Sequence, residues 1–442
     1  MKQKLNVKRT ILVGFAFFLI SAFWQSYDKT VPLILTYRFH MGQGLSGFIM
    51  SLDNILATFM LPLFGALSDK INTRYGRRTP FILIGTVLAI IFYIFSSYAT
   101  SLWFFIVLLL FTLIAMATFR SPAVALMPDV TVKPLRSKGN AVINLMGTAG
   151  GISVLLVGKF IKIGRTHLYN IPLYAIVICL IMAIGLIVFL LTVKEKSWAK
   201  EAEDQARLLE QESLPETPAE SPKKHRLSRP EIISLCLILA SVALWFTGYN
   251  AVTSKFSVYV EEVFSFRDAA GNVIGDPKVS YDTALLIAQV AAIATYIPVG
   301  LIASRIGRKK SILAGIVMLS AAFGFASLID LNTPPIPMYI LFALAGIGWA
   351  TINVNSFPMV VELATGSDVG KYTGLYYTAS MSAQIITPIL SGFLVQAIGW
   401  QVFFPYAAIF AALSFVTMLF VKHGDTKPKK KGSLLENLDV DD

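Results

Sequence analysis

Apolar stretches of about twenty residues recur along the whole chain, separated by short polar turns. Twelve of them are predicted as helices, over 10–36, 45–67, 80–98, 102–127, 139–158, 171–193, 231–256, 281–303, 311–330, 337–361, 371–395 and 402–421. At ~1.5 Å per residue each is long enough to cross ~30 Å of hydrocarbon. The rhythm breaks once, over 194–230, which holds prolines and eight charges of each sign. That segment reads as a linker with a helical stretch near 197–211. The predicted organisation is therefore a six-helix bundle over 1–193, a linker over 194–230, a second bundle over 231–421 and a tail over 422–442. The fold class is an all-α membrane protein of two pseudo-symmetric halves.

Polar residues interrupt these apolar runs unevenly. The central parts of the third, sixth, ninth and twelfth spans hold no amide or charged side chain. The first holds Gln25 and Asp28, the second Asp53 and Asn54, the fourth Arg120, and the fifth Asn140 and Asn144. Asn250, Gln289, Asn353, Asn355 and Gln384 lie in the seventh, eighth, tenth and eleventh spans. A charge at mid-bilayer costs ~3 kcal/mol or more without a partner or water. Interhelical hydrogen bonding, at ~0.6–2 kcal/mol per contact, would account for one or two such residues. Their number, and their absence from every third span, fit a water-accessible cavity with the bare spans facing lipid.

Charge sets the orientation. Placing both termini in the cytoplasm puts 29 of the 38 Lys and Arg residues in cytoplasmic loops, tails and adjoining span ends, against 8 in the outside loops and the span ends beside them, with Arg120 deep within a span. This bias predicts both termini inside. It also accounts for the net charge of +12 without nucleic acid, and the tail stretch 427–431, KPKKK, is suited to anionic headgroups. Charged residues make up only 14% of the chain, against ~25% in soluble proteins. The first apolar run is spanning length and lacks a small-residue cleavage site, so it is expected to be retained. Cys179 and Cys236 both lie in apolar runs, which indicates neither a disulfide framework nor a zinc site. No nucleophile–histidine pair or Walker A sequence is present, which argues against an enzyme or a single-chain ATP-driven pump.

The halves echo each other at an offset of 235: Gly65 over Gly300, Asn54 over Gln289, Arg120-Ser121 over Asn355-Ser356, and Gly139 over Gly374. A parallel repeat of this kind places a site near the midplane between the halves. After the second span, residues 65–79 read GALSDKINTRYGRRT; after the eighth, 300–310 read GLIASRIGRKK. Both resemble the signature loop of the major facilitator superfamily. The resemblance implies a conformational latch from Gly65, Asp69, Gly76, Arg77, Arg78 and Asp129 in the first half and Gly300 and Arg305 in the second. Positive-inside anchoring alone is the simpler account of any one arginine.

The first loop is expanded, and residues 68–82, SDKINTRYGRRTPFI, look like plant and animal sucrose transporters and their bacterial relatives. Residues 122–131, PAVALMPDVT, resemble the Pro-Tyr-x-Ala-Leu-x-Pro pattern of glycoside–pentoside–hexuronide:cation symporters. The resemblance implies cation-coupled uptake of a sugar or glycoside by alternating access in a bacterial cytoplasmic membrane. One departure bears on the ion. Sodium-coupled members carry a carboxylate where this chain has Arg120, and their carboxylates in the second span would fall near Ala57 and Leu61. A proton needs only one titratable carboxylate, which favours proton over sodium coupling.

Asp53 is the first candidate for the coupling group, with Asp28 second and Arg120 the cation that tunes them. Asp53 sits ~4 Å outside its span centre and Arg120 ~7 Å inside, so contact would need helix tilt or the reach of the arginine. The plain alternative is a structural ion pair between helices. Sugar recognition needs amides for hydroxyls and aromatic faces for the ring. Trp24, Gln25, Tyr27, Asn54 and Asn144 offer this chemistry in the first half, and Tyr249, Asn250, Asn353, Asn355 and Gln384 in the second. The amides at 250, 353 and 355 stand out because buried amides require partners. The expected function is proton-coupled sugar symport by a monomer with no cofactor; efflux of another small molecule and a non-transporting sensor are the alternatives.

Overall fold

A computed structural model describes residues 5–212, 228–363 and 369–424. The basic stretch 427–431 lies outside the described residues. The helices are α1 (Val7–Leu33, continuing as a π-helical turn Ile34–Arg38), α2 (Gln43–Lys70), α3 (Thr79–Tyr98), α4 (Leu102–Asp129), α5 (Arg136–Phe160) and α6 (Ile171–Thr192). They continue as α7 (Glu195–Glu212), α8 (Arg229–Val263), α9 (Tyr281–Ile306), α10 (Arg308–Ala326), α11 (Ile336–Val361), α12 (Val369–Ile398) and α13 (Phe403–Leu419). A two-stranded hairpin, β1 (Phe266–Arg267) and β2 (Val273–Ile274), follows α8. Twelve helices are long and apolar enough to cross a membrane, one for each predicted span. The remaining helix, α7, is the helical stretch expected in the linker.

The boundaries moved where charge was read as the end of a helix. α8 continues past the predicted stop at 256 to Val263, carrying Glu261 and Glu262 within the helix. α10 starts at Arg308 rather than 311, because Gly307 turns the chain at φ +96° and the Arg308 side chain is buried instead of solvated.

Among the described residues the chain forms two compact units. One takes α1 as far as Thr30, Ile55–Ile163, and the chain from His167 through α7. The other takes Val31–Asn54, Gly164–Thr166 and the chain from α8 onward. The second unit therefore includes the end of α1 and the start of α2, which a division at the linker does not anticipate.

In the first unit α3 packs on α4 and α6. In the second, α11 packs on α9 and α10, while α8 packs on α12 and α13. An aromatic cluster of Phe256, Tyr259, Phe403 and Phe404 fills the core of the second unit, with Tyr259 and Phe403 stacked at 4.5 Å. The bare spans carry outward apolar stripes at helical spacing. Ile84, Leu88, Ile91 and Phe95 line α3, and Leu173, Ile176, Leu180, Ile184, Ile187 and Leu191 line α6. Ile409, Leu413 and Val416 do the same on α13. Such stripes are suited to hydrocarbon rather than to a polar cavity.

Candidate functional site

Polar side chains of the first unit gather on α1 and α4. Trp24 and Asp28, four residues apart, share a face of α1, and Gln25 adjoins them; all three are half-buried. The Arg120 guanidinium on α4 lies over the Trp24 ring, 5.6 Å from its centroid. Tyr27 points elsewhere: it is 1% exposed and packs against Phe23 and Trp24 at 6.0 and 5.3 Å. Ser26 and Thr30 bond to the Tyr93 hydroxyl at 2.8 and 2.6 Å, which fastens that side of α1 to α3. Asn144, on α5, is exposed.

The second unit holds Asp53 and Asn54, both half-buried on α2. The Asp53 Oδ1 accepts from the Asn54 backbone N–H at 2.6 Å and from its Nδ2 at 2.8 Å. An aromatic platform forms between α8 and α11. Tyr249 stacks on Trp349 at 3.7 Å with planes 7° apart, and Phe246 meets Trp349 edge-on at 5.2 Å. Asn250 and Asn353 sit beside it, half-buried. The three amides singled out in sequence find partners on their own helices. Asn250 donates to the Phe246 carbonyl, Asn353 to Trp349 and Asn355 to Thr351, at 2.7, 3.1 and 2.9 Å. Each such bond uses one amide hydrogen, and the chemistry of the group leaves a carbonyl oxygen and a second hydrogen for other contacts. Asn355 is 2% exposed, so it faces packing. Gln384, on α12, is half-buried and donates to the Ser380 carbonyl at 3.3 Å.

The signature loop is an ion-pair cluster. Arg78, 5% exposed at the start of α3, contacts Asp69 at 2.5 Å and Asp129 at 2.8 Å, and also donates to the Ser68 hydroxyl. Burial alone would lower the affinity of Arg78 for its proton. The hydrogen bonds and charges of Asp129 and Asp69 outweigh that and hold its pKa above the ordinary arginine value. Arg77 reaches Asp129 at 3.5 Å. Gly65 lets α2 approach α4: a Cβ there would meet the Ser121 Oγ at 2.9 Å. In the second half Arg305 is exposed, and the arginine that is buried is Arg308, paired with Glu362 at the end of α11. Arg308 and Glu362 thus repeat Arg78 and Asp129. The sequence reading missed them because the loops differ in length between halves.

Glu195, the first residue of α7, is a further residue that pattern reading missed. It is 3% exposed, and its carboxylate accepts from the backbone N–H groups of Arg77, Arg78 and Thr79 and from the Thr79 hydroxyl, at 2.6–2.9 Å. An anion is well placed there, at the positive end of α3. Gly76 adopts φ +125°, and a Cβ on it would lie 2.2 Å from the Glu195 Cδ. The linker helix is also held by Arg9, which bonds Glu201 at 2.5 Å and covers the Trp198 ring at 5.2 Å. Substituting Glu195→Gln removes the charge and leaves one acceptor oxygen. It is expected to cost about 1–3 kcal/mol, read as a lower thermal midpoint in detergent; an unchanged midpoint would contradict this role.

Twelve helices long and apolar enough to cross a membrane, with a buried arginine–carboxylate pair after the second and after the eighth span, define a multi-pass membrane protein. The chain belongs to the Major Facilitator Superfamily, whose family model matches residues 13–275 and 275–438. An MFS-type transporter of Methanocaldococcus jannaschii is 22% identical over 425 residues, covering 94% of this chain and 95% of that one. The chloramphenicol resistance protein CraA of Acinetobacter baumannii is 30% identical over 118 residues, 26% of this chain and 28% of that one. Among solved structures, a mutant of the nucleoside transporter NupG has a TM-score of 0.68 at 15% identity, with 94% and 100% of the two chains covered. A POT-family peptide transporter in complex with alafosfalin has a TM-score of 0.69 at 14% identity, covering 94% and 93%. These two show the fold that this chain shares.

Proposed function

We propose that the protein is a proton-coupled symporter of a neutral sugar or glycoside, working as a monomer in the cytoplasmic membrane of a bacterium. The observation that carries this reading is the Tyr249–Trp349 platform with Asn250 and Asn353 beside it. A pyranose presents C–H groups to an aromatic face and hydroxyls at its edge, and amides both donate to and accept from hydroxyls. Trp24 and Gln25 offer the same pair of chemistries in the first unit. The resemblance of residues 68–82 and 122–131 to sugar symporters agrees with this choice.

Asp53 is the proposed proton carrier. One proton moving down 100 mV releases ~2.3 kcal/mol, enough to concentrate a neutral solute roughly forty-fold. The cluster around Arg78 is the proposed latch on the face of the basic loops, with Arg308 and Glu362 as its counterpart. Efflux is the second reading, favoured by the partial match to a chloramphenicol resistance protein.

The test is uptake of labelled sucrose and maltose into proteoliposomes, with and without an inward proton gradient. Accumulation that needs the gradient supports the proposal. Absence of sugar uptake, with chloramphenicol extruded instead, would replace it by efflux. The platform makes its own prediction. Trp349→Ala removes one of the two stacked rings and is expected to raise the half-saturation concentration about tenfold. Trp349→Phe should recover most of that loss. Unchanged uptake kinetics in the alanine variant would remove the platform from the site.

A further inference from the structure

The first unit holds a cavity that the sugar reading does not use. It lies among the start of α1, the chain from the end of α4 to the start of α5, and α7. Its volume is about 350 Å³, and small-molecule sites span ~300–1,000 Å³. α7 is held over it at two points. Glu195 anchors the first turn at the start of α3, and Trp198, 8% exposed, forms part of the cavity wall. On α1, Arg9 lines the cavity and Trp24 belongs to the proposed sugar site. Fifteen residues of helix separate them, ~22 Å along the axis.

The wall joins two kinds of surface. Val13, Met127 and Val132, each at most 4% exposed, give it an apolar part. Arg9 and Glu201 give it a charged part. The Arg9 guanidinium covers the Trp198 ring at 5.2 Å and donates to the Glu201 Oε2 at 2.5 Å. That hydrogen bond holds the Glu201 carboxyl below the ordinary carboxylate range, so both charges are present at neutral pH. The two side chains are 41% and 47% exposed.

Opening this pair costs little, because an exposed ion pair contributes only ~0–1 kcal/mol. A guest with one charge would meet one partner and be repelled by the other. A guest with an anionic and an ammonium group satisfies both: the anion accepts from the Arg9 fork and the ammonium donates to Glu201. The apolar part requires a hydrocarbon group on the same molecule and offers no partner for the hydroxyls of a sugar. We propose that the cavity is a second ligand site, for a zwitterion with an apolar side group. A free apolar amino acid presents that chemistry, and so does the head of an aminophospholipid. Bound there, it bridges Arg9 on α1 and Glu201 on α7 and ties the linker helix to the first span.

Labelled leucine is the probe, with the whole protein in detergent. It is expected to bind, and phenylalanine and methionine to displace it. Isocaproate and isoamylamine each keep the hydrocarbon and one charge, and should compete about tenfold more weakly. Arg9→Gln and Glu201→Gln should each weaken leucine binding about tenfold, as the loss of one charge-assisted hydrogen bond implies. Lipid nanodiscs separate the two sources. A thermal midpoint higher in phosphatidylethanolamine than in phosphatidylcholine, with the difference lost in Glu201→Gln, assigns the site to lipid, since choline has no N–H to donate. Leucine binding without that difference assigns it to the free amino acid. The absence of both effects would overturn the site. So would single-charge analogues that compete as well as leucine, or leucine binding that both variants leave intact. No readout involves sugar uptake, so the result is independent of the solute carried.

Discussion

Asp53→Asn is expected to abolish gradient-driven accumulation of the solute while leaving its exchange across equal concentrations near the wild-type rate. The substitution is unusually clean. The Asp53 Oδ1 accepts from the Asn54 backbone and side chain, and an asparagine oxygen in the same place can accept both bonds. What the variant loses is the charge and the capacity to carry a proton. If one proton drives each cycle, an accumulation of roughly forty-fold at 100 mV falls to about one. The measurement is the ratio of internal to external labelled sugar in proteoliposomes under an imposed proton gradient. Undiminished accumulation in the variant would take the coupling role from Asp53 and pass it to Asp28.

The second large effect is expected at Arg78. Arg78→Met removes the group that joins Asp69, Asp129 and Ser68 and strands the Asp129 carboxylate with Arg77 at 3.5 Å. Breaking a fully buried pair costs about 3–5 kcal/mol. Asp69 and Asp129 are 58% and 20% exposed, so solvent recovers part of that and about 2 kcal/mol remains. The readout is the thermal midpoint in detergent at a fixed scan rate. Adding Asp129→Leu to Arg78→Met should return part of the loss, because the stranded charge is then gone. Arg308→Met should behave in the same way in the other half, where Glu362 is the stranded group. A drop that the second substitution does not relieve would mean that Arg78 acts through packing alone.

Much of the architecture was legible in the pattern of apolar runs, and the physical reason is the solvent. In hydrocarbon every backbone group must bond within its own segment, so a run of about twenty apolar residues has one outcome. The boundaries were less legible where charge was involved. Glu262 fell beyond the predicted end of its span, yet it lies within α8 and meets Arg165 and Arg267. Arg308 read as part of a basic loop, and it is buried against Glu362. In each case a distant segment accommodates the charge, and composition carries no record of that segment.

The candidate site divides in the same manner. Asp69 and Arg78 were legible because they lie in one contiguous loop motif, and Asp129 because it lies in a second, 122–131. Glu195 was not, since it lies 116 residues from Thr79 and its partners are backbone N–H groups, which leave no mark on side-chain chemistry. Asn250, Asn353 and Asn355 were marked by their polarity, but polarity could not distinguish the two half-buried amides beside Trp349 from Asn355, which is closed into packing. Tyr27 and Trp24, three residues apart on α1, differ similarly: one lies in the core and the other beneath Arg120.

By itself the sequence determined the number of spans and the linker helix. These follow from local hydropathy and charge, which act within a segment. Only the tertiary structure decided which polar side chains meet: Arg78 with Asp69 and Asp129, Glu195 with the start of α3, Tyr249 with Trp349, and Lys255 with Gln43. Those contacts join segments far apart in the chain, and their formation depends on how helices pack, which no single stretch encodes.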